Sequence, residues 1–242
     1  MCDKERDIME QFLASIKKLE RIVETGVDKL DSQIGGGLRR GCLYLVAGRP
    51  TMGKSTLALE ICSGIMNHYE NKTVFCSLKM SASQVMEKIR CSQTEESLKK
   101  LVVIEDNTIP PIKAKIKKLM KNPYTKVKAL IVDYLQLLSS TENEAEDTFS
   151  RNRVKNTYKQ LKKIAEEFDI PVLVTAQLRR QPDYREDHRP RLSDTGAWEE
   201  IKDYVDTAIL LYKESFYLGE DGNSNTELII AKDNREVEND GY

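Results

Sequence analysis

Gly48-Arg49-Pro50-Thr51-Met52-Gly53-Lys54-Ser55 fits G-x-x-x-x-G-K-[ST], the spacing of a phosphate-binding loop. The motif constrains fold and chemistry together, because it works only between a strand and a helix. There the unpaired N–H groups of the first helical turn converge on one spot, and the helix dipole adds positive potential. The flanks agree: Cys42 to Ala47 reads as a short buried strand, and Leu57, Ile61 and Ile65 follow at helical spacing. Such a loop wraps residues Gly48 to Thr56 around phosphate oxygens. Lys54 then reaches the β- and γ-phosphates, and the Ser55 hydroxyl binds Mg²⁺. The alternative is a plain glycine-containing turn.

Bulk properties narrow the remaining choices. With 242 residues, the chain suits one α/β domain or one domain plus an appendage. Its 38 basic and 39 acidic residues give no broad basic surface, so any nucleic-acid contact must come from a local patch. The 5 cysteines (Cys2, Cys42, Cys62, Cys76 and Cys91) are dispersed and form no C-x-x-C pair, which argues against disulfides and structural zinc. With His68 and His188 the only histidines, the sequence argues against a histidine metal site or triad. There is no signal peptide and no apolar run of membrane-spanning length, so a cytoplasmic location is expected.

Along the chain, Ile8, Phe12, Ile16 and Leu19 form one helical stripe between Lys4 and about Leu19. This amphipathic segment divides the chain into a docking helix (1–22) and a main domain (23–242). It packs either on its own domain or on a neighbouring copy. Gly35-Gly36-Gly37 reads as a turn. Strands are expected at Thr73–Leu78, Leu101–Glu105, Ala129–Asp133, Pro171–Ala176, Thr207–Tyr212 and Thr226–Lys232. Ser81 is a plausible helix N-cap, and Pro110-Pro111 opens a lysine-rich helix whose lysines form a solvated face. Another helix carries Val154, Leu161, Ile164 and Phe168. Two long loops remain, an acidic one at 139–150 and an arginine-rich one at 179–191. The chain stops at Asn239-Asp240-Gly241-Tyr242, a hairpin turn without a returning strand, which reads as a truncation.

Strands alternating with helices predict a mainly parallel sheet covered on both faces, with ligands beyond the strands' carboxyl ends. Gly48–Ser55, Asp133 and Gln177 all fall at such ends. Asp133 is placed to hold Mg²⁺, directly or through water; a strand-end aspartate capping a turn is the simpler alternative. Gln177 could hydrogen-bond the γ-phosphate or the attacking water.

GRPTMGKSTLALEI, LIVDYLQLL, KKIAEEFDIPVLVTAQL, RPRLSD and IIAKDNR together resemble the ATPase domain of DnaB-type replicative DNA helicases, within the RecA-like superfamily. The resemblance runs in order from about Val23 to Glu236. It implies a RecA-like P-loop fold, ATP and Mg²⁺ as cofactors, and a homo-oligomeric, hexameric ring. That ring pulls single-stranded DNA through its channel and works with a helicase loader or a full-length helicase. Lys54, Ser55, Asp133 and Gln177 inherit the phosphate, metal and sensor roles. Lys232 and Arg235 resemble the trans-acting Lys and Arg finger of a neighbour's site. The N-terminal helix resembles the family's linker helix, which packs on the adjacent subunit.

The sequence departs from the family at four places. The family's S-L-E-M, whose Glu positions the hydrolytic water, is Ser77-Leu78-Lys79-Met80 here. An ammonium cannot act as that base unless strongly desolvated, so a different carboxylate (Glu60, Glu105 or Asp106) would have to substitute. The finger is spaced Lys232-Asp233-Asn234-Arg235, one residue longer than K-x-R. After Leu192-Ser193-Asp194 the family's Arg-containing DNA loop is replaced by Thr195-Gly196-Ala197-Trp198-Glu199-Glu200. Arg179, Arg180 and Arg185 are the candidate DNA contacts that could compensate. The collar domain is absent, and the segment between Ile89 and Leu101 is short. A motor domain that binds ATP and hydrolyses it slowly is one expectation. A nucleotide-binding paralogue that joins or regulates a helicase ring is its rival, and a recombination mediator a third possibility.

Overall fold

The computed structural model describes residues 21–122, 125–138, 151–218 and 226–234. Residues 1–20, where the docking helix is expected, the acidic loop 139–150, Arg235 and the chain end lie outside the described residues.

The chain opens with β1 (Ile22–Val23), a short helix (Asp28–Gln33) and β2 (Leu38–Arg39), the two strands pairing as an antiparallel ribbon. β3 (Leu43–Gly48), β4 (Lys72–Ser77), β5 (Leu101–Ile104), β6 (Val127–Asp133), β7 (Val172–Gln177), β8 (Thr207–Tyr212) and β9 (Glu227–Asp233) make one sheet of 7 strands. Their spatial order is β5-β4-β6-β7-β3-β8-β9. Every pairing is parallel except β8 with β9. The mainly parallel, doubly covered sheet expected from the sequence is therefore present.

Both faces of the sheet are buried, which is why its strands read as continuous apolar runs. Successive residues of β3 nonetheless serve different cores. Leu43, Leu45 and Ala47 pack with Ile112, Ile116, Leu161 and Ile164 on one face. Tyr44 and Val46 pack with Ile61, Ile65, Val85 and Ile89 on the other. The helix Lys54–His68, which follows β3, thus covers one face, while the connections after β6 and β7 cover the opposite one. Where connections diverge to opposite faces, a crevice opens at the strands' carboxyl ends. The phosphate loop, Asp133 and Gln177 sit along that edge.

Local chemistry sets the helix starts. Ser81 caps the helix Ala82–Arg90 in a reciprocal capping box: its hydroxyl accepts from the Gln84 amide at 3.3 Å, and the Gln84 side chain accepts from the Ser81 amide at 2.9 Å. Pro110 and Pro111 occupy the first turn of Ile109–Met120, where a missing N–H costs nothing. The exposed lysines of that helix lie opposite its buried Ile109, Ile112 and Ile116.

A one-residue irregularity interrupts the β8–β9 ladder. Ile230 pairs with Ile209 but Lys232 pairs with Ala208, leaving Ala231 as an extra residue. A bulge places consecutive side chains on the same face. Ala231 and Lys232 therefore both face the side covered by the helix Trp198–Ile201.

Candidate nucleotide-binding site

The loop Arg49–Gly53 leaves β3 and enters the helix Lys54–His68 through Gly53, the N-cap, whose φ of 90° suits only glycine without strain. No side chain caps this helix. The first-turn N–H groups, which have no acceptor within the helix, stay available to an anion. Met52 is 1 % exposed and belongs to the core, so its part in the loop is played by its backbone. Pro50, Thr51 and Thr56 face outward. Beside the loop, Lys29, Thr51, Gly53, Thr56, Lys213 and Thr226 border a cavity of about 390 Å³.

Lys54 lies folded across the loop, its ammonium donating to the Arg49 carbonyl at 2.8 Å. Burial pushes its pKa down to about 8; Lys79 and Arg49 act in the same direction and Asp133 opposes them. Lys54, Lys79 and Asp133 thus share one electrostatic neighbourhood at the carboxyl edge of the sheet.

Asp133 ends β6 and is 1 % exposed. Its Oδ1 accepts from the Thr175 hydroxyl at 2.5 Å, while Oδ2 is buried and unpartnered. A buried carboxylate oxygen without a donor is costly and therefore unusual. A divalent cation is the chemistry that would relieve it. Among the described residues no group of three or more His, Cys, Asp or Glu side chains could hold a metal alone. Asp133 would therefore hold Mg²⁺ only together with phosphate oxygens, Ser55 being the second ligand expected from the sequence.

Gln177 ends β7, opposite Gly48 in register, with its side chain exposed. Its carbonyl accepts from the Gln136 side chain at 3.0 Å. Thr175 and Gln136 both support site residues and were not singled out from the sequence. Their one signal there is a polar side chain inside an apolar run, in VLVTA and DYLQL.

Lys79 occupies the turn after β4, whose last residue Ser77 pairs with Asp133. The Ser77 hydroxyl fixes that turn, donating to the Met80 carbonyl at 2.6 Å and accepting from the Met80 amide at 3.2 Å. The possible substitute carboxylates take different positions. Glu105 follows β5, the far edge strand, and accepts from the Ala82 amide at 2.6 Å. Asp106 is exposed beside it, whereas Glu60, exposed on the helix after the loop, borders the cavity beside that loop. Four strand spacings separate β5 from β3, on the order of 19 Å.

The candidate DNA arginines differ sharply. Arg185 is held bidentately by Asp194, at 2.8 and 2.5 Å, and Asp194 is 1 % exposed. Its guanidinium stabilises its own loop. Arg179 and Arg180 are exposed. The Arg179 guanidinium lies flat on Gly196, where an added Cβ would meet Nε at 2.0 Å. Arg179 thus fills space that only glycine leaves. Lys232 donates to the carbonyls of Lys202 and, at 2.7 Å, Val205. Because β9 is antiparallel, Lys232 sits at the amino ends of the parallel strands, roughly 10 Å or more from the phosphate loop of its own chain.

The model of the DnaB-like helicase C terminal domain matches residues 22–105 and 99–239. Replicative DNA helicase DnaC of Bacillus subtilis is 28% identical over 261 residues, covering 94% of this chain and 56% of the relative. A probable replicative DNA helicase of Trieres chinensis is 30% identical over 265 residues, covering 93% and 57%. The chain spans little more than half the length of these relatives. Among solved structures, a DnaB-like replicative helicase, described together with its interactions with primase, superposes with a TM-score of 0.73 at 26% identity, covering 93% of this chain and 61% of that one. With its RecA-like ATPase fold and phosphate-loop edge, the chain belongs to the DnaB-like helicase C-terminal domain family.

Proposed function

We propose that this chain is the ATP-binding motor domain of a replicative DNA helicase, acting on single-stranded DNA within a hexameric ring. The observation that carries the proposal is the uncapped helix after Gly53, in one neighbourhood with Lys54 and the unpartnered Oδ2 of Asp133. On this reading Lys54 leaves the Arg49 carbonyl for the β- and γ-phosphate oxygens. The first-turn amides of Lys54, Ser55 and Thr56 neutralise charge, and Gln177 orients the γ-phosphate or the water that attacks it. Mg²⁺, held by Ser55 and Asp133, supplies Lewis-acid stabilisation of the charge that develops on the phosphates. Lys232 and Arg235 serve a neighbour's site, consistent with the distance of Lys232 from its own. Arg179 and Arg180 contact the DNA backbone. The N-terminal segment, up to about residue 20, docks on the adjacent copy, and the chain from the β1–β2 ribbon onward forms the motor. A helicase loader or a full-length helicase is the expected partner, in the cytoplasm.

Lys79 favours a second reading. A cation where the attacking water needs a base fits a domain that holds ATP, turns it over slowly, and joins or regulates a helicase ring. ATP turnover with and without single-stranded DNA separates the two. Multiple-turnover hydrolysis stimulated by DNA supports a motor, whereas tight binding without stimulated turnover supports the regulatory subunit.

A further inference from the structure

Arg49 is the second residue of the phosphate loop, yet its side chain turns away from the phosphate cradle. Its Nε donates to Asp183 Oδ1 at 3.0 Å, Nη2 to Asp183 Oδ2 at 2.7 Å, and Nη1 to the Leu178 carbonyl at 3.1 Å. The Arg49 side chain is 13% exposed and that of Asp183 30%, so this bidentate pair is partly shielded from solvent. Asp183 belongs to the turn Gln181–Tyr184, within the segment that carries Arg179, Arg180 and Arg185. It also accepts from the Tyr217 hydroxyl at 3.3 Å, and the Tyr217 ring stacks on His188 at 4.3 Å. Asp183 is therefore anchored on both sides.

The backbone of the same arginine faces the nucleotide site. The Arg49 carbonyl is the acceptor of the Lys54 ammonium. A triphosphate would draw that ammonium away, so Arg49 is the residue at which Lys54's change of partner meets the 179–191 segment. Leu178 adds a rigid strap, its amide donating to the Gly48 carbonyl at 3.1 Å.

We propose that the Arg49–Asp183 pair transmits occupancy of the phosphate loop to the 179–191 segment, Asp183 acting as a positioning residue. The proposal rests on the nucleotide-binding reading above. Phosphate binding closes the loop around its ligand, and the guanidinium carries that closure to the turn at Asp183.

Hydrogen exchange of the full chain, with and without saturating AMP-PNP and Mg²⁺, tests this without requiring DNA. In the wild type, nucleotide should slow exchange across 179–191 about fivefold, the low end of usual coupling between sites. Asp183→Asn, which keeps the shape and removes the charge, should abolish that slowing while the peptides spanning 48–60 remain protected. Asp183→Glu, which restores the carboxylate, should recover part of it. The proposal is overturned if Asp183→Asn leaves the slowing across 179–191 intact. It is equally overturned if that variant speeds exchange there to the same degree with and without nucleotide, since that marks a purely structural contact. Failure of the wild type to bind AMP-PNP would instead sink the nucleotide reading itself, and this proposal with it.

Discussion

Replacing Lys79 with glutamate puts a carboxylate where the chain carries an ammonium. The turn that presents residue 79 is held by backbone bonds to Ser77 and not by the lysine, so the substitution leaves its geometry in place. Ser77 pairs with Asp133, and the charges of Lys79 and Asp133 both act on Lys54. A carboxylate there would act on Lys54 together with Asp133, the proposed metal ligand. A positioned general base contributes about 10²–10⁴-fold. The expected gain in Lys79→Glu is thus at least about a hundredfold, or roughly 2.7 kcal/mol off the barrier. Lys79→Gln removes the cation without supplying a base and should leave the rate nearly unchanged. Single-turnover hydrolysis of labelled ATP, with protein in excess, isolates the chemical step from product release. The reasoning is refuted if Lys79→Glu and Lys79→Gln behave alike, or if the wild type already turns over at the ordinary enzyme rate of about 10 per second.

Two further predictions come from the same site. Lys54 has a folded-state pKa lowered to about 8 from 10.5, chiefly by burial. Between those two values the unfolded chain binds more protons than the folded one, so this group makes stability rise with pH across that window. Nucleotide needs the charged ammonium, so calorimetry in buffers of different ionisation heat should detect proton uptake on binding at pH 9 and little at pH 7. Equal uptake at both would contradict the assignment. Thr175→Val keeps the volume of a buried strand residue but removes the donor to Asp133 Oδ1. Urea unfolding without nucleotide should show a loss of about 1–3 kcal/mol, and an unchanged midpoint would mean the bond contributes nothing.

Features carried by neighbouring residues were legible in the sequence. The phosphate loop, the cap at Ser81, the Pro-Pro helix start and the strand Thr207–Tyr212 each depend on a short window whose local preferences agree with the fold. Asp133 and Gln177 could be placed because a polar residue ending an apolar strand has one place to go. What escaped is tertiary. Arg49 and Asp183 are 134 residues apart, and nothing local marks either as the other's partner. Nothing in the sequence distinguishes Arg185 from Arg179 and Arg180, whereas the buried Asp194 carboxylate holds the Arg185 side chain alone of the three. The extra residue at Ala231 turns Lys232 onto the face of Trp198, whereas strict alternation would have placed it with Ile230.

Equilibrium binding of AMP-PNP with Mg²⁺ to the wild type and to Lys54→Ala tests the central claim most directly. Saturable wild-type binding in the range of about 1 μM to 1 mM, lost in the variant and weakened by removing Mg²⁺, is the expected result. Wild-type and variant chains taking up nucleotide equally, or neither taking it up, would contradict the account.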